Sequence, residues 1–297
     1  MNTSPAPRRS GIGWWLAGCG CLVVVVLFVL GAVFVGGALL APDDDRPGGV
    51  GSAVDGARPS QNPADPAGGF AAEAQRFHAL AAQLEGNPVA PLVTQMRRFQ
   101  LLEQRAAAPR LSEAAERELT RQAQEMTAEL EQRIDAAEAR STNSSGSVTE
   151  QLVDDAGAGY IDIGWDAATA CAVSEKEGRT TAGCVSEDPV AVHILPEAKL
   201  SGDLARRIVV LHELTHLYQR ADLDDAGPNG TSGAERLVQQ GLFEGSSEKM
   251  ADCYALTYLD QWSLSPDGIS IGYGYVCSAA ERQAIRDWAA SVHAPMP

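Results

Sequence analysis

Val209-Val210-Leu211-His212-Glu213-Leu214-Thr215-His216-Leu217-Tyr218 is the stretch on which the reading of this chain turns. Two histidines at i and i+4 on a helix leave from one face, a turn apart. Both imidazoles can then meet one tetrahedral ion such as Zn2+. Glu213 lies about 100° round the helix from His212, near enough to reach a water on the metal but wrongly placed to be a third ligand. Val210, Leu211, Leu214 and Leu217 cover the other faces, and Ile208 and Val209 extend them. That pattern predicts a helix buried nearly all round. Buried histidines and a buried glutamate are costly without partners, which favours a metal over a pair of satisfied core histidines.

Outward from the motif, Ser201 is placed to cap this helix, expected from about Gly202 to Arg220 with Asp203 in its first turn. An acidic, Gly-rich loop follows. A third ligand has to come from elsewhere. Asp222 holds the last position of the extended pattern H-E-x-x-H-x-x-G-x-x-H, but Gln219 replaces the glycine that permits the turn. Downstream runs Glu244-Gly245-Ser246-Ser247-Glu248-Lys249-Met250-Ala251-Asp252-Cys253, inside a helical stretch from about Ala234 to Asp260 that Gly245 can break. Glu248 and Asp252 are one helical turn apart and can face one site. One carboxylate would bind the metal; the other would accept a hydrogen bond from a ligand imidazole and hold its tautomer. Glu244, a turn before Glu248, serves as the contrasting position.

The pair HELTH and E-x-x-A-D-C resembles the gluzincins, zincin metallopeptidases whose third ligand is a glutamate. In particular it is similar to the bacterial neutral zinc metallopeptidases, which carry H-E-x-G-H-x-x-Q followed by E-x-x-A-D-C. Gln219 matches the glutamine, while Thr215 departs from the usual glycine. The resemblance spans roughly Val190 to Leu259. It implies His212, His216 and Glu248 as zinc ligands, Glu213 as general base and Asp252 as partner of a ligand imidazole. It also implies an α+β fold, mainly helical, in which a small twisted sheet lies above the active-site helix and the second ligand helix. Val190-Ala191-Val192-His193-Ile194-Leu195 reads as a strand and suits the one bordering the cleft. His193 on it is either an oxyanion helper or a structural histidine. Tyr218, Tyr254, Tyr258, Tyr273 and Tyr275 are equal candidates for an electrophilic helper.

The 297 residues carry 39 acidic against 23 basic side chains, a formal charge of −16, and no stretch forms a basic patch. Such a surface repels phosphate, so nucleic acid is excluded as a partner. Residues Ile12 to Leu40 contain no charge and, at about 1.5 Å per helical residue, exceed the ~30 Å hydrocarbon layer. Trp14 and Trp15 stand at one end, Arg8 and Arg9 precede the run, and Asp43, Asp44 and Asp45 follow it. Positive charge stays cytoplasmic, so residues 1–41 are expected to form a cytoplasmic N-terminus and one uncleaved transmembrane anchor, with the rest of the chain outside. Leu16-Ala17-Gly18-Cys19 imitates a lipoprotein box, but the apolar run follows its cysteine instead of preceding it.

Export makes disulfides available. Of the six cysteines, Cys19 and Cys21 lie in the apolar run, and the pairing expected for the other four is Cys171–Cys184 and Cys253–Cys277. Residues 42–69, dense in Pro, Gly, Asp and Ser, read as a flexible linker. Residues 70–140 read as a helical hairpin or short coiled region, with one stripe at Leu92, Met96, Phe99 and Leu102. A second stripe follows at Leu119, Ala123, Met126, Leu130, Ile134 and Ala137; Pro109 separates the two, and Ser112 starts the second helix. That region is a spacer, a dimer contact or part of the next domain. The metallopeptidase-like domain is expected over 148–297, closed by a helix from Ala279 to Val292. The expected function is a membrane-anchored, extracytoplasmic zinc metalloendopeptidase acting on peptide or protein substrates. The alternative is a non-catalytic module of the same fold that binds a protein partner at the cell envelope and has no need of Glu213. Sequence sets neither the cleavage specificity nor the oligomeric state.

Overall fold

The motif helix organises the molecule. The structure, a computed structural model, describes residues 66–140, 145–171, 181–186, 188–262 and 272–297. The apolar run at 12–40, its flanking charges, Cys19, Cys21 and nearly all of the linker lie outside the described residues. Among the described residues no helix is long and apolar enough to cross a membrane.

In chain order the helices are α1 (Pro66–Ala81), α2 (Ala90–Thr94), α3 (Met96–Ala106), α4 (Glu113–Arg140), α5 (Val148–Gly157), α6 (Ala167–Ala170), α7 (Asp203–Ala226), α8 (Gly233–Gln239), α9 (Ser247–Tyr258) and α10 (Ala279–Ser291). The strands are β1 (Asp162–Gly164), β2 (Gly183–Val185) and β3 (Ala191–Ile194), in the order β1-β3-β2. β1 runs parallel to β3 with Asp162 opposite Ala191, and β2 runs antiparallel to it with Cys184 opposite His193. This is a mainly helical α+β fold with one small sheet.

α7 starts at Asp203 because Gly202 takes the cap position at φ +95°, a conformation open to glycine, so Ser201 does not cap the helix. It runs past Arg220 to Ala226. Its apolar faces are buried as their spacing requires: Leu211, Leu214 and Leu217 are at most 2% exposed. α9 and α5 pack along it, α2 meets it from the preceding region, and β2 and β3 lie against it.

Residues 70–140 contain four helices where two were expected. Asn87 turns the chain, its Oδ1 accepting from the Val89 amide at 3.0 Å, and Pro91 opens α2. Gln95 at φ +50° then separates α2 from α3. Both expected stripes face inward; α1 packs on α4, and Phe77 stacks on Phe99 with ring centroids 3.7 Å apart. These helices share one apolar core with the rest, from Phe77 through Leu214 to Ala294. Cys171–Cys184 ties the end of α6 to β2, and Cys253–Cys277 ties α9 to the segment before α10, with Cα atoms 5.8 and 5.5 Å apart.

Leu214 is fully buried and points away from the histidine face of α7. Leu214→Ala should lower the free energy of unfolding by about 2–5 kcal/mol in denaturant titration, by lost burial plus the cavity left behind. A loss under 1 kcal/mol would mean that α7 is not the centre of the core.

Candidate metal centre

α7 supplies His212 and His216, and α9 supplies Glu248 and Asp252. α9 begins where Ser246 caps it, its hydroxyl accepting from the Lys249 amide at 3.4 Å. That start places Glu248 in the first turn and Asp252 one turn on, both toward α7.

The hydrogen bonds fix what each ring nitrogen can do. His212 Nδ1 lies 2.9 Å from Asp252 Oδ1, and His216 Nδ1 lies 2.9 Å from Gln219 Oε1. Gln219 turns its oxygen to His216 because its Nε2 donates to the Ser247 carbonyl at 3.2 Å. Both partners only accept, so both histidines donate from Nδ1. Their Nε2 atoms therefore turn lone pairs to one point, 3.2 Å apart, and Glu248 Oε2 completes the triangle at 3.2 and 3.3 Å. Three electron pairs converging there repel one another unless a cation sits among them. Ligand atoms at about 2.0–2.2 Å from one tetrahedral ion are roughly 3.3–3.6 Å apart. His212, His216 and Glu248 thus make one face of a tetrahedron and could hold a metal ion. This observation carries the metal reading.

Burial alone would push His212 down, but hydrogen bonds to Asp252 and Glu248 outweigh it and raise its pKa to about 10. The same two histidines hold the Glu248 carboxyl far below the ordinary range. Glu213 is 7% exposed and is pushed up, first by burial and then by Glu248, against the pull of the two histidines.

Other expected candidates are committed elsewhere. Asp222 accepts from the amides of Gly233 and Ala234 at 3.1 and 2.8 Å and from Trp288 Nε1 at 2.8 Å, so it anchors α8 and α10 to α7. Glu244 sits at φ +51° and pairs with Lys249. His193 pairs with Asp166 at 2.7 Å. The strand that reaches Glu213 is β2: a Cβ on Gly183 would stand 2.8 Å from Glu213 Cγ. β3, expected at the border, is instead the central strand, because Ala191, Val192 and Ile194 are buried and call for neighbours on both sides.

Among the five tyrosines, geometry distinguishes Tyr273. Its ring stacks on His212 with centroids 5.9 Å apart, and its amide donates to Asp252 Oδ2 at 2.7 Å. Burial and the carboxylates of Glu248, Glu213 and Asp252 push its pKa up to about 12, so the phenol stays protonated. Tyr218 and Tyr254 are buried against each other, and Tyr275 donates to Glu281 at 2.5 Å. Gly272 approaches Asp252 so closely that a Cβ would stand 2.4 Å from Oδ1, at φ +68°. No spacing rule in the sequence points to Gly183 or Gly272, or separates Tyr273 from the other four tyrosines.

His212→Ala, His216→Ala or Glu248→Ala should abolish stoichiometric metal binding, while Asp252→Ala should weaken it about 10–100-fold. Metal titration with Glu244→Ala as control reads the difference; loss at Glu244 with retention at Glu248 would move the third ligand by a turn. Because the raised His212 pKa lies above 7, the metal-free site is protonated at neutral pH and the metal must displace that proton. Calorimetry in buffers of different ionisation enthalpy should therefore show about one proton released per ion at pH 7, with apparent affinity rising with pH until about 10. Zero protons released would mean that His212 is already neutral at pH 7 and that its pKa is not raised. Compared with protein-family models, curated proteins and solved structures, the chain matches none of them, so the case for a metal rests on this geometry.

Proposed function

We propose that this chain is a zinc-dependent endopeptidase of the zincin type. The observation that carries the proposal is Glu213, a buried carboxylate beside two histidines and a carboxylate that converge on one point. Two imidazoles and one carboxylate also suit iron. What favours hydrolysis over redox chemistry is a base that is not itself a ligand. When bound, zinc supplies a Lewis acid for the scissile carbonyl and an acidified water.

The chain's own residues do the rest. Glu213 accepts the proton of the attacking water and delivers it to the leaving amine. The carboxylate lies against Gly183, where a Cβ would crowd it, and β2 is an edge strand. An extended substrate can add to such an edge through main-chain hydrogen bonds. Asp252 holds His212 in the tautomer that leaves Nε2 free, and Gln219 does the same for His216. Tyr273, exposed and protonated, can donate its hydroxyl to charge that develops on a substrate oxygen.

Two disulfide pairs support an oxidising compartment, and the apolar run at 12–40 supports an N-terminal anchor with the catalytic residues outside the cytoplasm. The substrates would then be polypeptides at the outer face of the membrane.

Glu213→Gln should keep the metal and the fold yet lose hydrolysis of an unfolded protein by at least about 100-fold, since general-base assistance contributes about 10²–10⁴. Gly183→Ala should keep the metal and reduce hydrolysis by displacing the Glu213 carboxylate. Metal analysis of the purified chain, run beside the activity assay, separates the readings. Zinc bound with no cleavage of any unfolded protein would favour the non-catalytic partner-binding module instead; iron in place of zinc would sink the peptidase.

A further inference from the structure

Among the described residues, α8 and α10 open with the same capping box. Ser232 and Glu235 close that of α8, and Glu235 is exposed. Ser278 and Glu281 close that of α10, and Glu281 is only 9% exposed. A box occupies one carboxylate oxygen. Glu281 Oε2 serves it, accepting from the Ser278 amide at 2.8 Å and the Ser278 hydroxyl at 2.9 Å. Oε1 turns to other segments, accepting from the Phe243 amide at 2.7 Å and the Tyr275 hydroxyl at 2.5 Å. Four donors thus meet one buried carboxylate. Burial opposes its charge, but the bonds from Tyr275, Ser278 and Phe243 outweigh that and hold the carboxyl below the ordinary range.

The two distant partners belong to the segments that set the metal centre. Phe243 and Glu244 stand at φ +55° and +51°, between Gly241 and Gly245 at +87° and +72°. A non-glycine residue keeps such a backbone only where its surroundings hold it. The Phe243 ring is fully buried and its amide is bonded to Glu281, which fixes the turn from both sides. Just beyond, Ser246 caps α9, followed by Ser247, whose carbonyl Gln219 holds, and by Glu248 itself. Tyr275 lies two residues past Tyr273, whose amide holds Asp252. Lys249 joins the same two segments a second time, pairing with Glu244 and lying 5.4 Å over the Tyr275 ring. Glu281 therefore grips both the start of α9 and the segment laid against its second turn, although none of its four bonds is to a proposed ligand.

We infer that Glu281 is a positioning residue of the metal centre: it places Glu248 through the turn before α9, and His212 through the Tyr273–Asp252 contact. That role depends on the three-ligand centre of the proposed function and is independent of peptide hydrolysis. It also needs a carboxylate. The amide of a glutamine would face a backbone N–H whichever way it turned, that of Phe243 on one side or of Ser278 on the other.

The test reads three quantities on the full chain: zinc affinity by competition with a chelator, the visible spectrum with cobalt in place of zinc, and stability in denaturant. Glu281→Gln should weaken zinc binding at least about 10-fold, within the 10–100-fold that loss of a ligand's supporting partner typically costs. It should also change the cobalt spectrum, which follows ligand geometry. Tyr275→Phe removes one of the four donors and should move both readouts the same way by less. Leu130→Ala, at a buried position of α4, which supplies no ligand, controls for stability alone. It should destabilise the chain and leave zinc affinity and the cobalt spectrum unchanged. Unchanged affinity and spectrum in Glu281→Gln would overturn the role of Glu281, and so would an equal loss of affinity in Leu130→Ala. If Glu281→Gln does not fold, Tyr275→Phe decides, and unchanged zinc affinity there counts against the role. A wild-type chain that binds neither zinc nor cobalt removes the metal centre and this role together; tight binding that Glu281→Gln leaves intact removes the role alone.

Discussion

Two hydrogen bonds on the far sides of two imidazole rings govern this site. Asp252 on His212 and Gln219 on His216 take up both Nδ1 protons, which leaves two Nε2 lone pairs and one carboxylate oxygen of Glu248 facing each other. Among the described residues no cationic side chain meets that convergence, and the raised His212 pKa reflects it. The rest of the fold holds the arrangement still. α7 is buried on its remaining faces, α9 lies against it, and the Cys253–Cys277 bridge anchors the segment whose Gly272 and Tyr273 backbone embraces Asp252.

Charge explains why burial is tolerable. Glu213, Glu248 and Asp252 surround two histidines in an acidic chain, and Asp252 is fully inaccessible to solvent. Left alone, such a cluster retains a proton, as the raised His212 pKa reflects. A divalent ion balances the carboxylates better than one proton does. It would also weaken the grip of Glu213 on its own proton, readying that group to accept another. Tyr273 adds an exposed phenol whose ring stacks on His212.

One stripe of α7 carries both histidines and the glutamine that holds one of them. A helix that must present two histidines a turn apart presents the next two turns on the same face. There Gln219 orients a ligand, and Leu223 borders open space. Asp222, one turn further along α7, holds α8 through the amides of Gly233 and Ala234 and α10 through Trp288.

Sequence by itself determined the parts that depend on local periodicity. Helical spacing put His212 with His216 and Glu248 with Asp252, apolar stripes marked the buried faces of α4 and α7, and proximity along the chain paired the four described cysteines. Tertiary structure decided what depends on segments meeting across tens of residues. Asp222 turned from candidate ligand to anchor, because the α8 amides and the Trp288 indole reach its carboxylate first. β2, a three-residue strand too short to show a pattern, took the place beside Glu213 that the more apolar β3 was expected to hold. Tyr273 separated from four other tyrosines only when Gly272 let the backbone close on Asp252. Periodicity is a property of one element and can be read along the chain. The closeness of two elements is set by how their side chains pack, and no spacing in the chain records it.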